Sequence, residues 1–216
     1  LFRSWFVGEP FKVFYDYKKE GIWQLGEEAA AAANGQEPGD IKVQDVDGNG
    51  VITTDDRIIY SQRPDVTFGF NNTFNYKGFD LSVFLYARLG QWIAYDYNTT
   101  YRINALENGG NVDYWTPENP TNAFPRPNKS KSYTQVTYYS TLKYEDGSFF
   151  KIRDITLGYT FKPELLKHLN LSRLRVYATA KNFFTFSKID NYDPEQGGSI
   201  SFPMTKQLVF GLNVEF

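Results

Sequence analysis

The chain ends in a segment whose positions alternate without a break between apolar and polar. From Leu208 to Phe216 every even-numbered residue is apolar, and the residues between them are Val209, Gly211, Asn213 and Glu215. Because side chains alternate across a strand, this segment predicts a β-strand with one apolar and one mostly polar face. Such a strand suits a soluble β-sandwich and a lipid-facing membrane barrel equally well.

Four further segments repeat this pattern, at residues 67–76, 79–90, 154–161 and 174–181. Each has one apolar row and a length of roughly 8–11 residues, which is the length a tilted strand needs to cross a bilayer. Opposite the apolar rows lie charged residues, namely Asp80, Arg88, Asp154, Arg175 and Lys181. A sixth, weaker strand is expected near residues 12–17, where the apolar face is poor.

The connections between these strands separate the two architectures. Short connections at 77–78 and 162–172 alternate with long polar ones at about 18–65, 91–148 and 183–206. Outer-membrane barrels have short periplasmic turns and long extracellular loops. The sequence therefore predicts an all-β, transmembrane antiparallel β-barrel with the long loops outside. Five or six strands are too few to close a barrel, so the chain supplies the C-terminal strands of a larger one or pairs with another chain.

Composition supports a barrel and excludes some other classes. Aromatic residues make up 18% of the chain, with 16 Tyr and 19 Phe, yet the mean hydropathy is −0.49. This combination is typical of a membrane β-barrel, although a tyrosine-rich soluble binding module also has it. A net charge of −2 without a basic stripe argues against nucleic acid as a partner. The absence of cysteine excludes disulfides and thiol catalysis.

The segment 45–56 fits the calcium-loop pattern of alternating oxygen ligands with glycine at the sixth position. The candidate ligands are Asp45, Asp47, Asn49, the backbone carbonyl of Val51, and Asp56. Asp56 stands where the pattern has the longer Glu, and no flanking helices are evident. The sequence thus predicts a structural Ca²⁺ site that stiffens a long loop. A solvated turn rich in Asp, Asn and Gly is the alternative.

No constellation of residues predicts an enzyme. His168 is the only histidine, so it cannot build a histidine-rich zinc site alone, and nothing in the sequence places a serine beside it for a triad. The acidic pairs Glu145/Asp146 and Asp193/Glu195 have the residue types of a glycosidase. Both pairs lie in polar loops, where a solvated acid is the usual role. We therefore expect a protein without catalytic activity.

Aromatic side chains are concentrated in the second long loop and offer weak candidates for substrate binding. They include Trp92, Tyr95, Tyr97, Tyr101 and Trp115. Such rings stack on sugars, pack a loop against itself, or lie in an interfacial girdle. The sequence leaves these roles open.

An ordered set of motifs makes the chain resemble the C-terminal part of SusC/RagA-family TonB-linked outer-membrane transporters of Bacteroidetes. The resemblance covers essentially the whole chain. Its motifs are Gly8-Glu9-Pro10, Pro38-Gly39-Asp40-Ile41-Lys42, Phe68-Gly69-Phe70-Asn71-Asn72, the run from Asp146 to Tyr159, Tyr192-Asp193-Pro194-Glu195, and the terminal strand.

The resemblance implies a barrel of about 22 strands with an internal plug, although the plug is not in this chain. It implies import of oligosaccharides or peptides across the outer membrane, together with a SusD-like surface lipoprotein and energised through TonB. Phe216 then corresponds to the aromatic end that barrel-assembly machinery reads. A soluble calcium-stabilised carbohydrate-binding module is the alternative function.

The partners expected on this basis are outer-membrane lipid, the N-terminal portion of the barrel, and a glycan or peptide substrate. Within the lumen, we expect the charged side chains of the polar faces to contact the plug. The best candidates for such contacts are Asp154, Arg175, Lys181 and Glu215.

Overall fold

A computed structural model describes residues 3–11, 13–104 and 109–216. In chain order the elements are β1 (Arg3–Ser4), β2 (Val13–Tyr17), β3 (Lys19–Ile22), α1 (Glu28–Ala33), β4 (Ile41–Val43), β5 (Arg57–Ser61), β6 (Val66–Tyr76), β7 (Phe79–Leu89), β8 (Trp92–Ala94), β9 (Tyr144–Asp146), β10 (Phe149–Thr160), α2 (Pro163–Leu166), β11 (Arg173–Ser187) and β12 (Gln207–Glu215). The predicted all-β class is confirmed. No helix among the described residues is long and apolar enough to cross a membrane.

The chain divides into two compact units. The first, here called the sheet unit, comprises Pro64–Gln91, Gly147–Gln196 and Ser201–Phe216. The second, here called the loop unit, comprises Leu1–Arg63, Trp92–Asp146 and Gly197–Ile200. Most of the two longest predicted loops therefore lies in a unit with its own strands.

The sheet unit is built on one antiparallel five-stranded sheet in the order β12-β11-β10-β7-β6. These are the five strands that the alternating pattern predicts. β10 begins earlier than predicted, at Phe149, and β11 continues to Ser187. A β-bulge between Ile152 and Asp154 shifts the register and lets pairing continue past it. The last long connection therefore begins at residue 188 and not at 183.

Strand register places the five apolar rows on one face of the sheet. Leu81 lies between Phe74 and Leu157 across three adjacent strands, and on the other side Ala178 pairs with both Leu157 and Phe210. The face is open, since Phe210 is 74% exposed. An apolar surface this extensive is unfavourable in water, because each exposed large side chain forfeits its burial energy.

The two short connections lie at the same end of the sheet. Lys77 and Gly78 have positive φ angles, the conformation that a tight two-residue hairpin requires. The second connection contains α2, with Pro163 at the start of the helix, where its fixed φ angle suits the first helical position. The Thr160 N–H donates to the Gly78 carbonyl at 2.8 Å, which joins the two turns.

The loop unit contains three small sheets: β1-β2-β5, β3-β4 and β8-β9. The weak strand predicted near residues 12–17 exists as β2, although Lys12 lies outside the described residues. It pairs with β1 and β5 and not with the five-stranded sheet. The physical reason is burial of both faces: consecutive Val13 and Phe14 are both buried, so no row is left for lipid. A short helix, α1, follows Glu27.

Segments far apart in sequence share the hydrophobic core of the loop unit. One cluster joins Ile22, Ile41 and Val43 to Trp115 and Leu142. A second cluster packs Phe14 and Tyr60 against Tyr144, with the rings of Tyr60 and Tyr144 stacked 4.9 Å apart. The first and second long connections thus fold into one body.

Candidate functional site

The polar face of the sheet carries a bidentate ion pair that spans three strands. Arg175 of β11 donates from Nε to Asp80 of β7 at 2.8 Å and from Nη2 at 2.5 Å. Gly158 of β10 lies between them, and a Cβ there would be 2.5 Å from both partners. Gly158 therefore leaves the space through which the pair closes. Bidentate pairs of this kind fix geometry as well as charge.

Further polar pairs continue along the same face, and each joins neighbouring strands. They are Lys181–Asp154 at 3.7 Å, Thr156–Thr179 at 2.8 Å and Arg173–Glu215 at 3.2 Å. The structure thus places all four predicted lumen residues, Asp154, Arg175, Lys181 and Glu215, on one face. Each has a partner within the sheet. The face is hydrophilic and locally charge-balanced, which suits a wet surface.

A buried lysine ties the last connection to the sheet. Lys151 of β10 is fully buried and donates to Asp193 at 2.6 Å and to Glu195 at 2.7 Å. Arg153 also pairs with Glu195, at 3.1 Å. Charges buried this deeply persist only when paired, so the cluster holds the segment around Pro194 in place.

This cluster explains the role of the acidic pair Asp193/Glu195. Both carboxylates are committed to Lys151, so the structure gives them a structural role and not that of two water-facing catalytic acids. Glu145, of the other pair, accepts a hydrogen bond from Asn98 at 2.8 Å. Sequence reasoning missed Lys151, although a lysine between Phe150 and Ile152 in a strand is an available signal.

The acidic loop brings three carboxylates together. Ligand oxygens of Asp45, Asp47 and Asp56 lie within 4.8 Å of one another. Asp45 accepts the N–H groups of Gly48 and Gly50 at 2.8 and 2.7 Å. Each carboxylate oxygen accepts more than one bond, so these contacts leave lone pairs for a cation.

Asn49, a further predicted ligand, lies in the same loop. Asn49 accepts the Val51 N–H through its amide oxygen at 2.8 Å. Asp56 is fully buried and accepts the N–H groups of Val46 and Thr53 at 2.8 and 2.7 Å. The donor set of carboxylates, amide oxygen and backbone carbonyl is the chemistry that Ca²⁺ prefers.

The candidate stacking aromatics mostly pack the loop unit. Tyr95 and Trp115 are buried, so a packing role is what the structure shows for these two. The Trp115 indole N–H donates to the Gln24 amide oxygen at 2.8 Å. Trp92 is half-buried with its ring 4.8 Å from that of Tyr60. Tyr97, also half-buried, lies beside Tyr95.

Polar contacts reinforce the joint core of the loop unit. The Ile22 N–H donates to the Asn122 amide oxygen at 3.0 Å. Gly21 makes room for that contact, since a Cβ there would lie 2.6 Å from the same oxygen. The Arg126 guanidinium pairs with Glu37 at 2.6 Å, and the backbone N–H of Arg126 donates to the Gly39 carbonyl at 2.9 Å. These bonds link the first and second long connections at several points.

Ionisable groups in the loop unit respond to this packing. Burial raises the pKa of the Tyr60 and Tyr144 hydroxyls, and the nearby Asp16 carboxylate adds to both shifts. The Tyr144 hydroxyl donates to Asp16 at 3.1 Å. The pKa of Asp113 is lowered by hydrogen bonds from Thr121 and Asn119. The unit is therefore held by neutral, buried phenols as well as by apolar contacts.

Comparison with known proteins gives consistent matches. No family model matches the sequence. TonB-dependent receptor P3 of Formosa agariphila is 31% identical over an alignment of 235 positions, which covers 97% of this chain and 22% of the receptor. TonB-dependent receptor SusC of Bacteroides thetaiotaomicron is 31% identical over 181 residues, covering 80% of this chain and 17% of the receptor. The chain thus spans about a fifth of the length of the curated relatives it matches.

Solved structures agree on the fold. The structure of the RagAB peptide transporter matches 95% of this chain and 23% of that chain, with a TM-score of 0.69 at 23% identity. The RagAB peptide importer in the open-open state matches 94% of this chain and 22% of that chain, with a TM-score of 0.63 at 25% identity. The five-stranded sheet is therefore a stretch of barrel wall, and the resemblance predicted from the sequence motifs is confirmed.

Proposed function

We propose that this chain, which belongs to the SusC-type TonB-dependent receptors, forms part of an outer-membrane nutrient importer. The sheet unit supplies a section of the barrel wall, and the loop unit shapes the outer entrance. The whole importer takes up oligosaccharides or peptides. The chain takes part in binding and passage without making or breaking bonds.

One observation carries this proposal: the two faces of the sheet suit two different solvents. The apolar face is continuous over five strands and exposed, as lipid contact requires. The opposite face is lined by ion pairs such as Asp80–Arg175, as a water-filled lumen requires. A soluble carbohydrate-binding module, the alternative function, would leave the apolar face in water.

The proposed partners follow from the resemblance. A SusD-like surface lipoprotein would act with the importer at its outer side, and TonB would energise it through the plug that the resemblance implies. Asp154, Arg175, Lys181 and Glu215 would face that plug. The existing pairs, such as Lys181–Asp154, would then exchange partners or bind the plug as preformed units.

Membrane fractionation tests the location. We expect the complete protein to stay in the membrane pellet after a carbonate wash and to leave it only in detergent. Release by carbonate alone would favour the soluble module. Growth of a deletion strain on single oligosaccharides or peptides then tests import: we expect loss of growth on one class, restored by the intact gene. Unchanged uptake of both classes would count against the importer.

We also propose that the acidic loop binds a structural Ca²⁺ through Asp45, Asp47, Asn49, Val51 and Asp56. The convergence of three carboxylates within 4.8 Å supports this. Calcium titration by calorimetry tests it on the complete protein. Asp47→Ala should weaken binding by at least about tenfold, whereas Asp55→Ala, in the same loop but outside the cluster, should not. Equal affinities in the two variants would refute the site.

A further inference from the structure

A groove opens beside α2 at the short-turn end of the sheet. It is a shallow, open groove of about 770 Å³, lined by Tyr159 of β10 and by Lys162, Pro163, Glu164 and Leu165. These residues supply one aromatic ring, two apolar side chains, one cation and one anion. The groove is thus apolar with two opposite charges in its lining.

The apolar wall of this groove belongs to the face of the sheet that we assign to lipid. Tyr159 pairs in register with Phe79 and Val176, both in the apolar rows. Its ring lies 4.7 Å from that of Phe79 and 5.1 Å from that of Phe161. The groove is therefore continuous with the lipid-facing surface.

The helix itself presents an apolar side chain beside this surface. Leu166 is buried and fixes α2 to the rest of the sheet unit, whereas the preceding Leu165 is 60% exposed and lines the groove. An exposed leucine next to an aromatic row at a strand end is the composition of a membrane interface. In such an interface, aromatic rings lie at the level of the lipid headgroups.

The charges in the groove match a zwitterionic headgroup. Lys162 and Glu164 flank Pro163 and are both exposed. Within the described part of the chain, neither side chain takes part in an ion pair. A lysine ammonium attracts a phosphate, and a carboxylate accepts hydrogen bonds from a primary ammonium.

We propose that the groove binds a phospholipid whose headgroup carries both a phosphate and a primary ammonium, as in phosphatidylethanolamine. Lys162 contacts the phosphate, Glu164 contacts the ammonium, and Tyr159 and Leu165 contact the glycerol end of the acyl chains. The proposal rests on the proposed barrel, because only a membrane-inserted sheet places this groove at a lipid headgroup layer.

Native mass spectrometry of the complete barrel in detergent tests the site. The protein is exchanged into micelles containing phosphatidylethanolamine, phosphatidylcholine or phosphatidylglycerol, and retained lipid is counted. We expect phosphatidylethanolamine to be retained best. Lys162→Ala should lower retention of all three lipids by about fivefold, the usual effect of one lysine near a lipid phosphate. Glu164→Gln should remove the preference for phosphatidylethanolamine over the other two.

Two variants in the same connection serve as matched controls. Lys167→Ala and Leu169→Gln change exposed residues of the turn that lie outside the groove lining, and both should retain lipid like the wild type. Equal retention in Lys162→Ala and Lys167→Ala, with the barrel still resistant to carbonate, would overturn the lipid site and leave the importer standing. Release of the wild type by carbonate would overturn both proposals.

Discussion

The sheet unit and the loop unit use opposite rules for apolar and polar side chains. In the sheet unit Phe210 and Leu212 are largely exposed, while Lys151 is fully buried among carboxylates. In the loop unit Ile22 and Trp115 are buried, as in an ordinary water-soluble domain. One chain therefore carries surfaces made for two solvents. The contrast teaches that burial reports function only after the solvent on each side is known.

The largest effect should come from removing the buried cation of the sheet unit. Lys151→Met removes the buried cation that Asp193 and Glu195 share and leaves Glu195 with Arg153 alone; breaking a buried ion pair in this way costs about 3–5 kcal/mol. We expect the connection at 188–206 to become sensitive to protease and the barrel to unfold at lower temperature. The control is Lys181→Met: its pair with Asp154 is half-exposed, so the loss should stay below about 1 kcal/mol. Similar losses of stability in the two variants would show that burial does not determine how much each ion pair contributes.

A charge placed on either face of β12 tests the two-solvent assignment directly. Leu212→Arg places a cation on the exposed apolar face and should destabilise a membrane barrel by about 2–4 kcal/mol. Asn213→Arg, one position on, faces the polar side and should cost little. Detergent unfolding followed by gel mobility measures both. If the two variants unfold alike, the apolar face does not meet lipid.

The next effect concerns the space above Gly158. Gly158→Ala places a methyl group 2.5 Å from Asp80 and Arg175, so the ion pair must open or the strand must shift. The atoms that the methyl group meets are the charged ends of flexible side chains, so the cost is that of loosening a partly exposed ion pair, about 1 kcal/mol. Gly69→Ala is the comparison, because its nearest side-chain atom would be 3.7 Å away, in ordinary contact. Thermal gel-shift assays should rank Gly158→Ala as the less stable variant. The reverse order would contradict the model of the pair.

The smallest effect lies in the loop unit. It is absent at neutral pH and appears only in alkali. Burial raises the pKa of Tyr60 and Tyr144, so the folded state keeps their protons at a pH where the unfolded chain loses them. Their contribution is complete below the unfolded pKa of about 10 and falls as pH rises from there toward the folded pKa. Tyrosinate absorbance should show late-titrating phenols, two fewer in the Tyr60→Phe, Tyr144→Phe double variant. An unchanged titration curve in that variant would show that Tyr60 and Tyr144 are not the late-titrating phenols.

The sequence predicts the sheet well because its signal is local. Alternation with a period of two assigns the face of each residue in Phe79–Leu89 or Gln207–Glu215 without knowledge of its neighbours. The polar face, with Arg175 and Asp80 on it, follows from the same periodicity. Their pairing across Gly158 requires the register of three strands, which alternation alone does not give.

The loop unit is harder to predict because its contacts are distant in sequence and its residue types are ambiguous. Gln24 and Trp115 are hydrogen-bonded although 91 positions separate them. A tryptophan in a polar loop suits sugar stacking and core packing equally, and only the burial of Trp115 in the fold distinguishes the two roles. β2 shows the same difficulty: the sequence predicts a strand there, but it does not predict the sheet to which the strand belongs.

The shared core of the loop unit has a consequence for the order of folding. Ile22 and Leu142 belong to one cluster, yet the whole β6–β7 hairpin lies between them in the chain. Hairpins close from local contacts, whereas distant contacts must first overcome the entropy of closing a long loop. The hairpin can therefore form before the second long connection has folded. The joint core therefore forms late. Replacing Gly21 or Asn122, which meet in the loop unit, should slow the folding of that unit more than the insertion of the sheet into the membrane.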